Sequence, residues 1–275
     1  MRIVPYPGKI VGGEIIYNEN DILKLSDSEI RKIRWKQISI VFQGAMAALN
    51  PLYKVGYQIA EPIIFHEGIS KQEATERTIK LLNLVGMDSQ RADSYPWELS
   101  GGMRQRVMIA MALACNPNLI IADEPITALD VLVASQIIEL LKDLRTKLDL
   151  SMLLITHDIS IIAQTCDELA VMYAGKIVEH GAVSELFELP SHPYTHALIS
   201  SFPSIKGKKR SLTGLGGNPP NLITPPPGCR FHPRCPYARE ICKTKEPEFL
   251  KVSKDHYAAC HLVDEISLTR LNENE

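Results

Sequence analysis

Short apolar segments alternate with helical patterns from residue 99 onward, and this alternation restricts the fold more than any other feature of the sequence. Two of these segments, Leu119–Ala122 and Met152–Ile155, are apolar at every position. Helices are predicted at Met103–Ala114, Val131–Leu148 and Ile159–Cys166. Fully apolar strands separated by helices are typical of a parallel sheet that is covered on both faces. The sequence therefore predicts an α/β fold.

The part of the chain before this alternation is divided into shorter elements. The predicted elements are short strands within residues 12–43, a capped helix at Ser26–Arg34, a buried strand at Ile38–Phe42 and an amphipathic helix at Ser70–Val85. Pro51, Gly56 and Pro62 indicate that residues 44–70 are broken into turns and short helices.

The part of the chain after residue 166 has a different character. Leu169–Tyr173 and Lys176–His180 predict a hairpin around an Ala-Gly turn. Residues 203–228 are rich in proline and glycine and contain a basic run at residues 206–210, so we expect a linker there. A cysteine-rich segment follows, and the polar residues after Leu262 are expected to fray.

The composition is that of a globular protein, with 45% hydrophobic and 23% charged residues. These fractions exclude a disordered chain, a collagen-like repeat and a coiled-coil rod as the main structure. The net charge of −2 gives no general attraction to nucleic acid or anionic lipid. The longest apolar run, Val107–Cys115, is far shorter than the ~20 residues that span a membrane, and the N-terminus lacks a signal-peptide pattern. We therefore expect a cytoplasmic protein whose cysteines are reduced thiols, metal ligands or cluster ligands rather than disulfides.

Two adjacent carboxylates follow the apolar strand of the segment LIIADEP, residues 119–125. Carboxylates in this position repel each other and lose solvation, so their presence needs a reason. A metal-bound phosphate supplies one, because α/β sheets bind ligands at the carboxyl ends of their strands. Asp123 can hold Mg²⁺, and Glu124 can polarise an attacking water. The alternative is a strand that ends in a solvated acidic turn.

Three further segments place polar groups where a phosphate could bind. In LSGGMRQR, residues 99–106, Ser100 is suited to cap a helix, and Gly101 and Gly102 let a phosphate approach the helix N-terminus. His157 and Gln43 each follow an apolar strand, where the histidine could contact a terminal phosphate and the amide could ligate Mg²⁺. A capped helix and a hydrogen-bonded histidine are the purely structural alternatives.

The order and spacing of these segments resemble the ATP-binding subunit of ATP-binding-cassette (ABC) transporters. The corresponding family motifs are the Q-loop at Gln43, the signature motif at Leu99–Gln105, Walker B at Leu119–Glu124, the D-loop at Ala128–Asp130 and the H-loop at His157. Ile126 departs from the family, which usually has threonine there. The resemblance implies a P-loop NTPase-like nucleotide-binding domain, with a parallel sheet flanked by helices and a helical subdomain at about residues 44–115.

The resemblance also implies roles for these residues around ATP and Mg²⁺. Asp123 and Gln43 would serve the metal, while Glu124 and His157 would be catalytic, acting on the water and the γ-phosphate. Nucleotide-binding roles are implied for Ser100, Gly101, Gly102, Gln105 and Asp130. In the family, the signature residues of one subunit close over the ATP of the other. A head-to-tail dimer with a second ABC ATPase subunit is therefore expected.

The P-loop sequence G-x-x-x-x-G-K-[S/T], also called Walker A, occurs nowhere in the 275 residues. This loop supplies the backbone cradle, the lysine and the Mg²⁺-binding hydroxyl for the phosphates of ATP. The resemblance therefore predicts an N-terminally truncated domain that alone binds ATP poorly and hydrolyses essentially none. Two explanations are possible. The chain is a fragment, which the presence of Gln43, Glu124 and His157 favours, or it is a degenerate subunit that contributes only its signature motif to a competent partner.

Four of the six cysteines lie close together near the end of the chain, at Cys229, Cys235, Cys242 and Cys260. Their spacing differs from the pairs separated by ~2 to 4 residues that structural zinc uses. Iron–sulfur clusters accept more varied spacing, and four free thiols are the remaining alternative. The prolines between the cysteines favour a small irregular module, which needs a cross-link such as a bound metal to be stable.

The C-terminal part closely resembles the extension of dipeptide and oligopeptide importers. The resemblance rests on HPY at residues 192–194, on the proline-rich linker and on CRFHPRC at residues 229–235. It implies an incomplete nucleotide-binding domain at residues 1–190 and a small irregular cysteine-rich extension at residues 191–275. In some of these subunits four cysteines ligate a [4Fe–4S] cluster, and the same is implied for Cys229, Cys235, Cys242 and Cys260.

The function that the resemblance implies is to couple ATP binding and hydrolysis to the uptake of dipeptides or oligopeptides. The implied partners are two membrane permease subunits, which would contact residues 44–64, and indirectly an extracytoplasmic peptide-binding protein; no nucleic acid is expected. The chain would lie at the cytoplasmic face of the membrane. A non-transport ABC ATPase that acts on DNA or the ribosome and a non-hydrolytic partner subunit remain as alternatives.

Overall fold

The computed structural model describes residues 1–44, 48–201, 216–263 and 265–266. The chain divides into two compact units, Met1–His157 and Asp158–Glu275. This division differs from the boundary after residue 190 that the sequence suggests, and that boundary stays a prediction. No helix in the described ranges is long and apolar enough to cross a membrane.

The first unit is built around a three-stranded parallel sheet. Its elements are β1 (Ile16–Tyr17), β2 (Asn20–Asp21), α1 (Asp27–Ile33), β3 (Ile38–Val41), α2 (Val55–Glu67), α3 (Lys71–Leu84), α4 (Gly101–Ala112), β4 (Leu119–Asp123), α5 (Val131–Leu148) and β5 (Ser151–Ile155). Strands β3, β4 and β5 lie side by side in that order and are parallel. The alternation of apolar strands and helices is thus confirmed as a parallel sheet.

Side-chain caps determine where three helices of this unit begin. Ser26 and Ser70 each accept the backbone N–H of a glutamate three residues later, and that glutamate bonds back to the serine. Asp130 caps α5 by accepting the N–H of Val133 over 3.0 Å. Each such cap stabilises a helix by about 1 kcal/mol. The capped helices predicted at residues 26–34 and 70–85 are confirmed.

The prediction of turns and short helices over residues 44–70 is wrong, because Val55–Glu67 forms one continuous helix. Pro62 lies inside α2 and removes the backbone bond to the carbonyl of Gln58. Burial of one helix face offsets this loss, and the fully buried residues are Val55, Ile59 and Ile63. Residues 45–47 of this segment lie outside the described residues.

Helices α2, α3 and α4 pack against one another within the predicted helical subdomain. Ile63, Leu82 and Ile109, one from each helix, are fully buried. Helix α4 also packs against β3 and α5. It therefore connects the helical group to the sheet and fixes the position of the segment that precedes it.

The second unit contains a four-stranded antiparallel sheet. Its elements are α6 (Ile159–Thr165), β6 (Glu168–Tyr173), β7 (Lys176–Ala182), α7 (Val183–Glu188), α8 (Pro193–Ser200), α9 (Glu240–Thr244), β8 (Leu250–Ser253) and β9 (His256–Ala258). The sheet order is β6-β7-β9-β8, so the predicted hairpin is confirmed as β6 and β7.

The C-terminal segment is less irregular than the sequence predicts. Strand β9 pairs with β7 at Glu179↔Ala258 and His180↔Tyr257, and β8 continues the sheet. This pairing satisfies backbone N–H and C=O groups that the hairpin alone would leave open at one edge. Residues 202–215 of the predicted linker, its basic run included, lie outside the described residues, as do residues 267–275.

Candidate functional site

The carboxyl ends of the three parallel strands bring Gln43, Glu124 and His157 together. Nε2 of Gln43 donates to Oε2 of Glu124 over 3.0 Å, and Nδ1 of His157 lies 3.0 Å from Oε1. Because β3, β4 and β5 are adjacent and parallel, the residues that follow them lie at one edge of the sheet. Three of the predicted site residues thus form one hydrogen-bonded group.

Glu124 is held as an ionised carboxylate in this group. Thr127 donates its hydroxyl to Oε2 of Glu124 over 2.6 Å. The hydrogen bond from Thr127, followed by that from His157, lowers the pKa of Glu124 below its ordinary value. The side chain is therefore charged at neutral pH, which is the state that can orient and deprotonate a water.

The backbone at Glu124 has an unusual conformation for a residue with a side chain. Its φ of 45° lies in the left-handed region, which costs on the order of 1–3 kcal/mol when the surroundings impose it. The N–H of Glu124 bonds to the carbonyl of Ile155 over 2.9 Å, and its carbonyl accepts the N–H of Thr127 over 3.2 Å. These two bonds hold the strained residue between β5 and the turn after β4.

Thr127 contacts the site but was not among the residues predicted from the sequence. The turn after β4 brings the threonine hydroxyl back to the carboxylate three residues earlier. A hydroxyl side chain three positions after a strand-end carboxylate, with a proline between them, is the signal that could have identified this contact.

Asp123 and Gln43 retain oxygen atoms that could bind a cation. Asp123 ends β4, and within the described residues its carboxylate has no hydrogen-bond partner. Gln43 uses its amide nitrogen for Glu124, so its Oε1 remains available. Mg²⁺ is usually bound by one or two protein oxygens, together with waters and substrate phosphates. The two residues therefore fit the metal role expected of them, and that role stays a prediction.

Ser100 and Asp130 directly precede α4 and α5, two helices that contact each other. Ser100 is exposed and accepts the N–H of Met103 over 3.3 Å, so it caps α4. A Cβ at Gly102 would lie 2.5 Å from Cγ1 of Val133, in the first turn of α5. The approach of a phosphate is one reason for both glycines, but Gly102 is also required by the contact between α4 and α5.

Gln105 does not lie with the exposed residues of the signature segment. Its side chain is only 4% exposed, and within the described ranges its buried Nε2 has no hydrogen-bond partner. Gln105 faces the interior because it lies one helical turn after Gly101 on the buried side of α4. Its expected contact with nucleotide therefore requires a rearrangement of this helix, and it stays a prediction.

We expect Gly102→Ala to destabilise the first unit by about 1–3 kcal/mol, because the new methyl group overlaps Val133. The matched control is Gly101→Ala, whose Cβ would lie 3.5 Å from Leu129, an ordinary contact distance. Urea unfolding of the two variants measures the difference. Equal midpoints would show that the α4–α5 contact does not require glycine.

The four C-terminal cysteines gather around one small cavity. The cavity is lined by Cys229, Cys235, Cys242 and Cys260, and also by His192. Burial raises the pKa of the Cys260 thiol to about 11, and it raises the pKa values of Cys229 and Cys235 as well. The sequence grouping of these residues is thus reproduced in space.

The geometry of this cavity does not support the [4Fe–4S] cluster that the resemblance implies. Its volume is about 10 Å³, which is enough for a single water. Within the described residues, no group of three or more Cys, His, Asp or Glu side chains is arranged to hold a metal ion. The four thiols have the ligand chemistry of a cluster, but the cavity between them has room for no more than a single water.

Two family models match different parts of the chain. The model described as "ABC transporter" matches residues 7–127. The model described as "Oligopeptide/dipeptide transporter, C-terminal region" matches residues 178–242, which contain most of β7, all of α8 and three of the four C-terminal cysteines. The two matches correspond to the two resemblances seen in the sequence.

Curated proteins and solved structures that are similar to this chain agree with the two family models. The oligopeptide transport ATP-binding protein OppD of Bacillus subtilis is 48% identical over 96% of this chain and 75% of that protein. The dipeptide transport ATP-binding protein DppD of Escherichia coli is 43% identical over 95% of this chain and 80% of that protein. The dimeric structure of MJ0796, a bacterial ABC transporter cassette, has a TM-score of 0.57 and 32% identity over 63% of this chain and 74% of that chain.

Proposed function

Since this chain belongs to the family of ATP-binding subunits of oligopeptide and dipeptide ABC transporters, we propose that it couples ATP hydrolysis to the uptake of short peptides. Members of this family are ATPases, and their α/β nucleotide-binding fold is the one observed here. The observation that carries the proposal is the group formed by Gln43, Glu124 and His157 at the carboxyl edge of the sheet.

In the proposed mechanism these residues surround the γ-phosphate of ATP. Glu124 holds the attacking water, His157 contacts the γ-phosphate, and Asp123 and Gln43 serve Mg²⁺. In the structure, the carboxylate of Glu124 is hydrogen-bonded to Gln43 and His157. Nucleotide binding would replace the contacts of Gln43 and His157 with this carboxylate by contacts to Mg²⁺ and ATP.

Ser100, Gly101 and Gly102 bind the ATP of a second ABC subunit in this proposal, with Asp130 at the same dimer face. Ser100 is exposed at the N-terminus of a twelve-residue helix, where backbone N–H groups favour a phosphate. Gln105 would join them only after a movement of α4. The working unit is a head-to-tail dimer at the cytoplasmic face of the membrane, associated with two permeases and indirectly with a peptide-binding protein.

We further propose that the 275-residue chain alone hydrolyses ATP at background rates, because it contains no P-loop sequence. Its signature motif can still complete the site of a partner that has a P-loop. The test compares steady-state ATP hydrolysis by this chain, by such a partner and by their mixture. Hydrolysis by the chain alone at the rate of an intact subunit would contradict the proposal, and a mixture no faster than the partner would contradict the shared site.

The surface proposed to meet the permeases includes an exposed aromatic strip next to the Q-loop. Leu52, Tyr53 and Tyr57 are exposed, and the two tyrosine rings lie 5.1 Å apart. Exposed apolar groups that lie side by side are typical of protein interaction sites. Residues 45–47 of the predicted surface lie outside the described residues.

Tyr57→Asp is expected to abolish recovery of the permeases with this chain, because it places a charge within the aromatic strip. Phe65→Asp is the matched control, since Phe65 is an exposed aromatic residue two turns farther along the same helix. Co-purification from detergent-solubilised membranes measures the interaction. Equal recovery with both variants would place the permease contact elsewhere, and recovery of a nucleic-acid complex would favour the non-transport alternative.

We also propose that the four C-terminal thiols bind a [4Fe–4S] cluster, for which the cavity between them would have to widen. The support is their shared cavity and the N–H of Leu262, which lies 3.4 Å from Sγ of Cys260, as donors to cluster sulfurs do. Anaerobically purified chain should contain about four irons and absorb in the visible range. Cys242→Ser should lose both properties, whereas Cys166→Ser should keep them. Stoichiometric zinc, or no metal, would contradict the cluster.

A further inference from the structure

A second cavity lies within the antiparallel unit, separate from the small space between the cysteines. Its volume is about 220 Å³, which is larger than the ~150 Å³ of an apolar cavity known to take up benzene. Strand β7 forms one side through Ile177 and Val178, and the segment before β8 forms another through Phe249. The cavity can therefore contain a group of the size of a phenyl ring.

Aromatic and aliphatic side chains make up the inner surface of this cavity. Phe231 is almost fully buried, and its ring lies 5.1 Å from that of Tyr173, which also lines the cavity. Phe249 is partly exposed and stacks on Tyr257 at 5.8 Å. Tyr173 and Phe231 belong to the hydrophobic cluster that holds the unit together, as does Val178, which also lines the cavity. The inner surface is thus already formed in the absence of a ligand.

Charged groups lie at the cavity in unequal numbers. Arg230 and Lys176 contribute two positive charges, and Glu246 contributes one negative charge. Lys176 and Glu246 form an ion pair, with Nζ 2.9 Å from Oε1, so their charges neutralise each other. One net positive charge remains, and it is on Arg230.

Arg230 has hydrogen-bond donors that the protein does not use. Its Nη1 donates to the carbonyl of Ala174, which fixes the guanidinium against the β6–β7 turn. Within the described residues, its other N–H groups have no partner. A planar guanidinium that is held in place beside an apolar cavity is suited to bind a carboxylate with paired hydrogen bonds.

We propose that this cavity binds a small molecule that carries both a carboxylate and an apolar group of about phenyl size, the class to which N-blocked amino acids and peptide C-termini belong. Arg230 binds the carboxylate, while Phe231, Phe249 and Val178 surround the apolar group. This binding site is independent of ATP, and it does not rest on the proposed transport function.

The experiment uses two ligands of nearly equal shape on the full chain. N-acetylphenylalanine has the carboxylate, and N-acetylphenylalanine amide lacks its charge. Calorimetric titration should show binding of the acid that is at least tenfold tighter than binding of the amide, because hydrogen bonds to charged groups are the stronger ones. Methyl NMR signals of Ile177 and Val178 should shift on titration with the acid.

Arg230→Gln should weaken binding of the acid at least tenfold, whereas Arg239→Gln should not change it. Arg239 is an arginine of the same unit that pairs with Glu265 and does not line the cavity. The comparison of the two ligands uses the unaltered chain, so it decides the question even if Arg230→Gln disturbs the hairpin. Equal affinity for acid and amide, or no binding of the acid at millimolar concentration, would overturn the proposal.

Discussion

Ser100→Asp is expected to reduce ATP hydrolysis by the assembled transporter at least 100-fold at the site that this chain completes for its partner. The substitution keeps the cap of α4, because aspartate caps helices as well as serine does. It also places a negative charge where the proposed dimer brings the γ-phosphate. Loss of a single donor to a developing charge typically costs 10²- to 10³-fold in rate, and repulsion adds to that loss.

Ser70→Asp is the matched control for this experiment. Ser70 caps α3 through the same type of bond, to the N–H of Glu73, but lies outside the signature segment. Hydrolysis should be unchanged in this variant, and both variants should unfold at the same urea concentration as the unaltered chain. Full hydrolysis by Ser100→Asp would mean that the signature segment is only a capped helix, which is the structural alternative.

The parts of this structure that could be predicted from the sequence depend on local signals or on strand direction. Ser26 and Ser70 each carry a glutamate three residues later, so both helix starts were predictable. The helix predicted at Val131–Leu148 has those same bounds in the structure. The meeting of Gln43, Glu124 and His157 follows from parallel strands, since residues after neighbouring parallel strands must share one edge.

The features that were not predicted depend on contacts between distant residues. The sequence predicts a break at Pro62, but burial of one face of α2 outweighs its missing hydrogen bond. Strand β9 is only three residues long, and its pairing with β7 crosses more than 70 positions. The size of the cysteine cavity could not be inferred either, because spacing along the chain says nothing about the distance between buried sulfurs.

A buried hydrogen-bonded pair in the second unit, Glu179 and His256, had no signal in the sequence at all. The carboxylate of Glu179 is fully buried and accepts hydrogen bonds from Nε2 of His256 over 2.8 Å and from the N–H groups of Ser191 and His192 over 2.6 and 3.0 Å. His256 is 2% exposed, and its Nδ1 lies 3.2 Å from Glu185. Glu179 thus joins β7, β9 and the start of α8.

Glu179→Ala is expected to destabilise the second unit by about 3–5 kcal/mol. The substitution leaves His256 and two backbone N–H groups buried without their acceptor, and removal of one partner from a buried pair typically costs this amount. A loss of this size is a large fraction of the stability of a domain. Urea unfolding followed by circular dichroism measures it, and the rate of thiol modification at the cysteine cavity, which His192 lines, should rise in parallel.

Glu168→Ala provides the matched control, because Glu168 forms the other pair between a glutamate of this sheet and a histidine. Glu168 and His180 lie 3.1 Å apart on β6 and β7, but the side chain of Glu168 is 70% exposed and that of His180 is 36% exposed. Pairs exposed to solvent contribute between 0 and about 1 kcal/mol to the free energy of unfolding, since water already hydrogen-bonds to each partner. Each variant removes a glutamate carboxylate that pairs with a histidine, so the difference between their losses in free energy of unfolding isolates the effect of burial. A difference below 1 kcal/mol would show that β7, β9 and α8 are held together by backbone pairing and apolar contacts rather than by Glu179.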